Sequence, residues 1–203
     1  MSNKDIDLCI ETMSGRLLNP AAPEPEDICP NDIAWALSRI PRFAGHTTSK
    51  IPYSVAQHSI HVSMLVEQHG LSTESPVITP HTCIKALFHD AHEAYFGDIP
   101  SPIKHMPGLA QHIKELEAGL DRAIFASLDI EPMSEDEKRI IKYCDKLSQT
   151  IEGYHFMPSR GAEWDGPKAT DQQLQDFLPP LGPADACVAF LNRYKSLIWR
   201  TKQ

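Results

Sequence analysis

Two histidines and two aspartates have a spacing that would let several helices contribute ligands to one metal ion. His89 and Asp90 are adjacent in an apolar segment, ALFHDAHEAYF, that we predict to be helical. A carboxylate among such neighbours is costly to bury unless it is paired or bound to a metal ion. His58 on the preceding predicted helix and Asp145 on a later one are the natural additional ligands.

Two imidazoles and two carboxylates would hold one divalent ion and leave positions open for water and substrate. This donor set suits Co²⁺, Mn²⁺, Zn²⁺ or Fe²⁺ better than Ca²⁺, and Mg²⁺ is a further candidate. A divalent ion lowers the pKa of bound water and can neutralise charge on phosphoryl oxygens, and both effects would serve phosphate hydrolysis. Two alternatives stay open for Asp145: Asp136 as the ligand, or a surface salt bridge with Lys138 or Lys142.

The composition narrows the functional classes. The 203 residues carry a net charge of −8, which argues against broad binding to polymeric nucleic acid or to anionic membranes. Five scattered cysteines without a C-x-x-C pair, and no signal-peptide pattern at the start, predict a cytoplasmic protein without a disulfide framework. Nine of the ten histidines fall between His46 and His112.

Other catalytic motifs find no support. The run H-D-A-H-E starting at His89 places its two histidines three residues apart. Zinc peptidases need H-E-x-x-H or H-x-x-E-H, with histidines four apart on one helical face. The chain has no P-loop and no G-x-G-x-x-G motif, so kinases, P-loop NTPases and dinucleotide enzymes are not indicated.

Apolar residues recur with helical periodicity between capping residues, and no alternating strand pattern competes, so we predict an all-α fold. The predicted helices are one capped by Asn31 or Asp32 and stopped by Pro41, one from a Ser54–Gln57 capping box to Gly70, one from Thr79 and Pro80 to Gly97, one from about Leu109 to Leu128, one opened by Ser134 and reaching Ile151, and a last one carrying Cys187 to Ile198.

The chain is predicted to form one domain over residues 1–203. Its catalytic core is expected at about 34–151. Residues 1–30 are expected to be an extended, proline-rich segment, and 157–203 to hold a loop from Met157 to about Pro183 followed by the last helix.

The H…HD…D spacing resembles the HD metal-dependent phosphohydrolase superfamily. The block ALFHDAHEAYFGDIPSPIK (Ala86–Lys104) resembles its small nucleotidase branch, the bacterial 5′-deoxyribonucleotidases and related phage deoxynucleotide hydrolases. RFAGHTTSKIPYSVAQHS (Arg42–Ser59) is similar to the segment before their first ligand histidine. The resemblance spans roughly Ala34 to Ile151 and implies an HD-domain helical bundle with a metal site between helices.

The resemblance also implies residue roles. His58, His89, Asp90 and Asp145 would be the metal ligands. Glu93 matches the glutamate that positions or deprotonates the attacking water.

Further roles follow around the substrate. Asp98 matches the aspartate near the leaving group, Arg42 the arginine that grips phosphate, and Lys104 a basic position after the D-x-P-x-P turn. Phe43 replaces the tryptophan of many relatives and would stack on a base or sugar. His46, His61 and His92 are candidate neighbours of the substrate.

The resemblance implies a divalent-metal-dependent phosphohydrolase of nucleoside 5′-phosphates, with 2′-deoxynucleotides preferred. A first alternative is a dNTP triphosphohydrolase, in an adenine-selective version like the phage enzymes. A second is a non-catalytic module that binds a nucleotide or a protein partner. By analogy with relatives we also expect a homo-oligomer, a dimer or larger.

Overall fold

The computed structural model describes residues 6–203, and these confirm the predicted all-α fold apart from one short hairpin. The hairpin pairs β1 (Ile10–Glu11) with β2 (Leu17–Leu18). The helices are α1 (Pro30–Leu37), α2 (Val55–Thr73), α3 (Pro80–Leu87), α4 (Glu93–Phe96), α5 (Ser101–Lys104), α6 (Ala110–Ser127), α7 (Glu135–Phe156), α8 (Asp171–Gln175) and α9 (Pro183–Arg200).

The centre of the bundle is α2, which packs against α3, α7 and α9. α9 also packs against α1 and α3, which closes the core on the other side. Val62, Leu87, Ile151 and Phe190, one from each of α2, α3, α7 and α9, are fully buried. This packing holds the first turns of α2 beside the middle of α7, where two of the predicted ligands lie.

The predicted helix from Pro80 to Gly97 is wrong as a single element. α3 ends at Leu87, Phe88 leaves helical geometry with φ −105° and ψ 13°, and residues 88–92 form turns before α4. The Ala86 carbonyl, which a continuing helix would offer to the N–H of residue 90, accepts a 2.8 Å hydrogen bond from His89 Nδ1 instead. His89 and Asp90 therefore project from a break between two helices.

Two predicted helix ends also differ. α2 does not end before Gly70 but continues to Thr73, and Glu74 adopts the left-handed conformation with φ 50°. The glycine serves packing, because a Cβ there would lie 2.6 Å from the Ile78 side chain. Only half of the predicted capping box forms: the Ser54 side chain accepts from the Gln57 N–H, but the Gln57 side chain bonds the backbone of Pro179 and Leu181 instead.

Neither Asn31 nor Asp32 caps α1, which begins at Pro30 after an N-cap at Cys29. Asp32 is buried and accepts hydrogen bonds from Thr12 Oγ1 and Ser14 Oγ. It thereby ties the β1–β2 turn to the bundle.

The two flanking segments hold more structure than expected. Residues 1–5 lie outside the described chain, and residues 6–30 contain the hairpin and a 3₁₀ turn at Pro25–Asp27 rather than a purely extended segment. The predicted loop from Met157 to Pro183 contains α8. Among residues 6–203, no helix is long and apolar enough to cross a membrane.

Candidate metal centre

The four predicted ligands converge at one point between α2, α7 and the break after α3. His58 Nε2 lies 3.2 Å from Asp145 Oδ1 and 3.5 Å from Asp90 Oδ2. His89 Nε2 lies 3.2 Å from the same Asp90 oxygen and 4.0 Å from Asp145 Oδ1. Two ring nitrogens and two carboxylates thus face one small volume.

The hydrogen bonding of the two rings fits a metal ion at this point. His58 Nδ1 is 2.6 Å from Glu152 Oε1, and His89 Nδ1 is 2.8 Å from the Ala86 carbonyl. Both Nε2 atoms, by contrast, are buried without a hydrogen-bond partner among the described residues. Metal-binding histidines commonly donate a hydrogen bond from one ring nitrogen and leave the other free to bind the ion. His58 and His89 are both arranged in this way, with the free nitrogen facing the carboxylates.

The centre opens to solvent on one side. The side chain of His58 is 0% exposed and forms the floor, whereas those of Asp90 and Asp145 are 20% and 30% exposed. Asp145 therefore stands at the mouth, where an ion bound by all four side chains would still be reachable by a ligand from outside.

The charges at the centre favour ionised carboxylates. The imidazoles of His58 and His89 hold the pKa of Asp90 well below its usual value although burial acts the other way. The pKa of Asp145 is lowered likewise, against burial, by the His58 contact. Burial and Arg42 act to lower the pKa of His58, but Glu152, Asp145 and Asp90 together raise it. The centre thus attracts positive charge, a proton or a cation.

Sequence reasoning missed Glu152, which is fully buried behind His58. Its Oε1 also accepts a 2.8 Å hydrogen bond from Ser148 Oγ, and its Oε2 lies 3.4 Å from Arg42 Nη2. Arg42 and His58 lower the pKa of Glu152 to about 2 despite burial. The available signal was its position seven residues after Asp145, two turns along the same face of α7.

Arg42 lies behind the carboxylates of the centre. Its Nη1 is 4.0 Å from Asp90 Oδ2, and the charges of Glu152 and Asp90 raise its pKa although burial opposes them. The next two residues have left-handed backbone conformations, with φ 57° at Phe43 and 49° at Ala44. Such strain in non-glycine residues is concentrated at functional sites. The Phe43 ring lies 5.7 Å from that of Trp164.

A second group of polar side chains adjoins the centre through Asp90. Ligand atoms of Asp90, His92 and Glu93 lie within 4.8 Å of one another. Glu93 is buried, its Oε2 has no hydrogen-bond partner among the described residues, and its Oε1 is 3.5 Å from Lys104 Nζ. Burial and the charges of Asp90 and Asp98 raise the pKa of Glu93 to about 8. The predicted single helix from Pro80 to Gly97 would place Glu93 on the same face as His89, four residues earlier, but the break between α3 and α4 separates them.

α6 supports this second group. Lys104 Nζ lies 2.9 Å from Glu117 Oε1, a contact that raises the lysine's pKa against the effect of burial. His92 Nδ1 lies 2.8 Å from Asp121 Oδ1, and this contact likewise raises the pKa of His92 although burial opposes it. Neither α6 carboxylate was predicted.

The remaining predicted residues are less close to the centre. Asp98 is half-buried just after Gly97, near enough for its charge to act on Glu93. His46 is exposed at the end of the 3₁₀ turn Arg42–Gly45. His61 Nδ1 donates to Ser148 Oγ at 2.8 Å, and its ring meets Phe177 edge-on. Their roles toward substrate stay predictions.

A large open groove lies elsewhere. About 570 Å³ of open space separates the proline-rich residues 20–25 from α6, with His112, Glu115 and Arg122 in its wall. We place the functional site at the centre because side-chain chemistry converges there, whereas this groove has an open, mixed lining. Size alone does not identify a reactive site.

Comparison with known proteins places the chain in a family. The model of the family described as "5′-deoxynucleotidase YfbR-like" matches residues 33–177. The chain is 33% identical to the uncharacterized protein YfdR of Escherichia coli over 93% of this chain and 94% of that protein. It is 24% identical to a 5′-deoxynucleotidase of Pasteurella multocida over 60% of this chain and 71% of that protein.

A solved structure gives a weaker likeness. The HD phosphohydrolase DatZ of cyanophage S-2L, bound to dA and one catalytic Zn²⁺ ion, superposes with a TM-score of 0.49 and 19% identity over 82% of this chain and 95% of that one. The family match rests on the sequence and covers well over half of the chain. The chain therefore belongs to the YfbR-like 5′-deoxynucleotidase family and is a phosphohydrolase of the nucleotidase type.

Proposed function

We propose that this protein is a 5′-deoxynucleotidase that releases phosphate from 2′-deoxynucleoside 5′-monophosphates. The observation that carries the proposal is the pair of buried, unpartnered Nε2 atoms of His58 and His89, which face the carboxylates of Asp90 and Asp145. The family match supports the substrate class.

These four side chains would hold one divalent ion, with Co²⁺, Mn²⁺, Zn²⁺ and Fe²⁺ as the candidates that suit two imidazoles and two carboxylates. When bound, such an ion supplies Lewis acidity, which lowers the pKa of water and offsets charge on a phosphoryl group. The exposed edge of the centre at Asp145 gives the substrate a side from which to approach.

Arg42 and Lys104 are the proposed phosphate-binding residues. The guanidinium of Arg42 presents a planar fork suited to two phosphate oxygens, whereas Lys104 is a point charge on a flexible stem. Glu152 and Glu117 hold these cations at distances of 3.4 Å and 2.9 Å. Two positively charged side chains fixed in this way allow a protein of negative net charge to bind an anion locally.

Glu93 is the proposed residue that orients water and accepts its proton. Its Oε2 is unpartnered in a buried position, and a pKa of about 8 lies near enough to neutrality for exchange of a proton in either direction. Asp98, on the far side of Gly97, is proposed to assist proton movement to the leaving oxygen.

Phe43 is proposed to face the sugar or base. Its left-handed backbone presents the ring beside Arg42, with Trp164 as a neighbour. His46, His61 and His92 stay predicted neighbours of the substrate.

The test is a product-resolved nucleotide screen. The protein is incubated with deoxynucleoside and ribonucleoside monophosphates and with dNTPs, each with Mn²⁺, Co²⁺, Zn²⁺ or Mg²⁺, and products are separated by ion chromatography. We expect orthophosphate from the deoxymonophosphates. Asp90→Asn should abolish its release, while Asp185→Asn, an exposed aspartate on α9, should not.

Two outcomes would contradict the proposal. Release of triphosphate from dNTPs without turnover of monophosphates would establish the triphosphohydrolase alternative. Equal activity of Asp90→Asn and the parent would show that the site is misassigned.

Three further proposals concern the whole chain: a cytoplasmic location, a homo-oligomer, and a single domain over 1–203 with its catalytic core at 34–151. Light scattering of the purified protein measures the oligomer. Limited proteolysis with mass spectrometry tests the domain, since one domain should resist cleavage between residues 34 and 151.

A further inference from the structure

We infer that Glu152 is a positioning residue that sets His58 and Arg42 in one geometry and so couples the metal centre to the phosphate-binding arginine. The inference rests on the proposed function, because it takes His58 as a ligand and Arg42 as a phosphate contact. It goes beyond that proposal by giving a role to a residue outside the predicted set.

The carboxylate of Glu152 is fully buried, and both of its oxygens are engaged. Oε1 lies 2.6 Å from His58 Nδ1 and 2.8 Å from Ser148 Oγ, and Oε2 lies 3.4 Å from Arg42 Nη2. A buried charge is strongly unfavourable unless it is paired and hydrogen-bonded in this way. The contacts join three elements, namely α2, α7 and the segment before α2.

The contact with His58 fixes which nitrogen faces the centre. A carboxylate at Nδ1 holds the proton on that atom, so that the Nε2 lone pair points at the space between Asp90 and Asp145. The other histidine of the centre, His89, has only the neutral Ala86 carbonyl at its Nδ1. Glu152 therefore gives His58 a charged outer partner that His89 lacks.

The contact with Arg42 protects a ligand of the centre. Arg42 Nη1 already lies 4.0 Å from Asp90 Oδ2. If Glu152 lost its charge, Asp90 would become the main carboxylate opposite the buried guanidinium. A closer Arg42–Asp90 pair would compete with a cation for the Asp90 oxygen and would remove the arginine from its phosphate-binding position.

A purely structural salt bridge would behave differently. In that case neutralising Glu152 would lower the stability of the fold and leave the metal affinity of the folded protein unchanged. Glu137 supplies the matched control, because it is a buried carboxylate on the same helix, paired with Lys85 at 2.8 Å and remote from the four ligands in the described structure.

The experiment compares Glu152→Gln with Glu137→Gln in the full chain. Mn²⁺ affinity is measured by calorimetric titration of metal-free protein, and stability by thermal unfolding. We expect Glu152→Gln to weaken Mn²⁺ binding about 10- to 100-fold, the usual effect of removing an outer partner of a ligand histidine. Glu137→Gln should change Mn²⁺ affinity less than about twofold, as expected for a residue outside the centre.

Kinetics with a deoxymonophosphate add a second readout. With saturating Mn²⁺, Glu152→Gln should still raise KM, because Arg42 is no longer held for the phosphate. If Glu152→Gln does not fold, Ser148→Ala removes one partner of the same oxygen and should weaken Mn²⁺ binding by a smaller factor.

The outcomes separate this inference from the proposed function. Unchanged Mn²⁺ affinity in folded Glu152→Gln, or equal losses in both glutamine variants, would overturn it. Wild-type protein that binds Mn²⁺ but hydrolyses no deoxynucleotide would contradict the proposed function alone. Wild-type protein that binds no Mn²⁺ would overturn both.

Discussion

His58 and His61 lie one turn apart on α2, yet they face two different regions of the protein. His58 faces the metal centre, with Glu152 behind its ring. His61 faces an aromatic cluster formed by Tyr53, His155, Phe156 and Phe177. Ser148 stands between the two histidines, accepting from His61 Nδ1 at 2.8 Å and donating to Glu152 Oε1 at 2.8 Å.

The two surroundings shift the pKa values of the two histidines in opposite directions. Burial and Arg42 act to lower the pKa of His58, but carboxylates at both of its nitrogens raise it well above its usual value. Burial lowers the pKa of His61 to about 4, and the more distant Glu152 offsets only part of this effect. Of these two histidines, the one suited to a cation is His58, whose two ring nitrogens both meet carboxylates.

The largest expected effect comes from removing a carboxylate on the metal side. Asp145→Ala should lower phosphate release by at least about 100-fold, in the range that loss of a catalytic group produces. Asp136→Ala is the control on the same helix, since its carboxylate is exposed and pairs only with Arg139 among the contacts described. Phosphate release and bound-metal content are measured for both. Equal losses in the two variants would refute the choice of Asp145 over Asp136.

The sequence predicted the metal side of this comparison better than the aromatic side. Ligand types recur at a spacing that is recognisable in one dimension, so His58, the His89–Asp90 pair and Asp145 could be named before their convergence was seen. Glu152 has only the weak signal of sharing a face of α7 with Asp145, and one acidic residue in an amphipathic helix ordinarily faces solvent.

The tertiary partners explain the remaining misses. The segment from Ala86 to Phe96 contains no glycine or proline, so the local sequence gives no sign of a helix break. At the break, the His89 ring bonds the Ala86 carbonyl. Gln57 follows Ser54 at capping-box spacing, but its side chain bonds the backbone of Pro179 and Leu181. Such contacts join residues far apart in the chain, which periodicity does not encode.

The next test replaces each of the two histidines by glutamine. His58→Gln should weaken Mn²⁺ binding about 10-fold or more, because it removes a ligand and leaves the Glu152 charge without its imidazole partner. His61→Gln should leave Mn²⁺ affinity within about threefold, since His61 has no contact with the carboxylates of the centre in the described structure. Calorimetric titration measures both. Comparable losses would mean that the two regions are not distinct.

The pH dependence of stability tests the surroundings of His61. A pKa of about 4 for His61 in the folded protein lies below the ordinary value of 6.5, so between these pH values the unfolded chain binds more protons than the folded one. The free energy of unfolding should therefore fall as pH drops from 6.5 towards 4, by up to about 1.4 kcal/mol per pH unit from this group.

Urea unfolding of metal-free protein at several pH values between 7.5 and 4.5 measures this slope. His61→Gln lacks the titrating ring and should show a shallower loss of stability on acidification than the parent. Parallel profiles would show that the aromatic cluster does not keep His61 neutral.

The smallest expected effect concerns the ring that holds His61 in place. Phe177 lies edge-on to His61 at 5.0 Å and stacked on His155 at 4.8 Å, and it is partly buried. Phe177→Ala should lower the free energy of unfolding by about 1–2 kcal/mol, less than for a fully buried phenylalanine. Leu178→Ala, at a side chain 61% exposed, should change it by less than about 0.5 kcal/mol. Since Glu152 and not Phe177 supports His58, Mn²⁺ affinity should be the same in both variants, and a selective loss in Phe177→Ala would show that the aromatic cluster also shapes the centre.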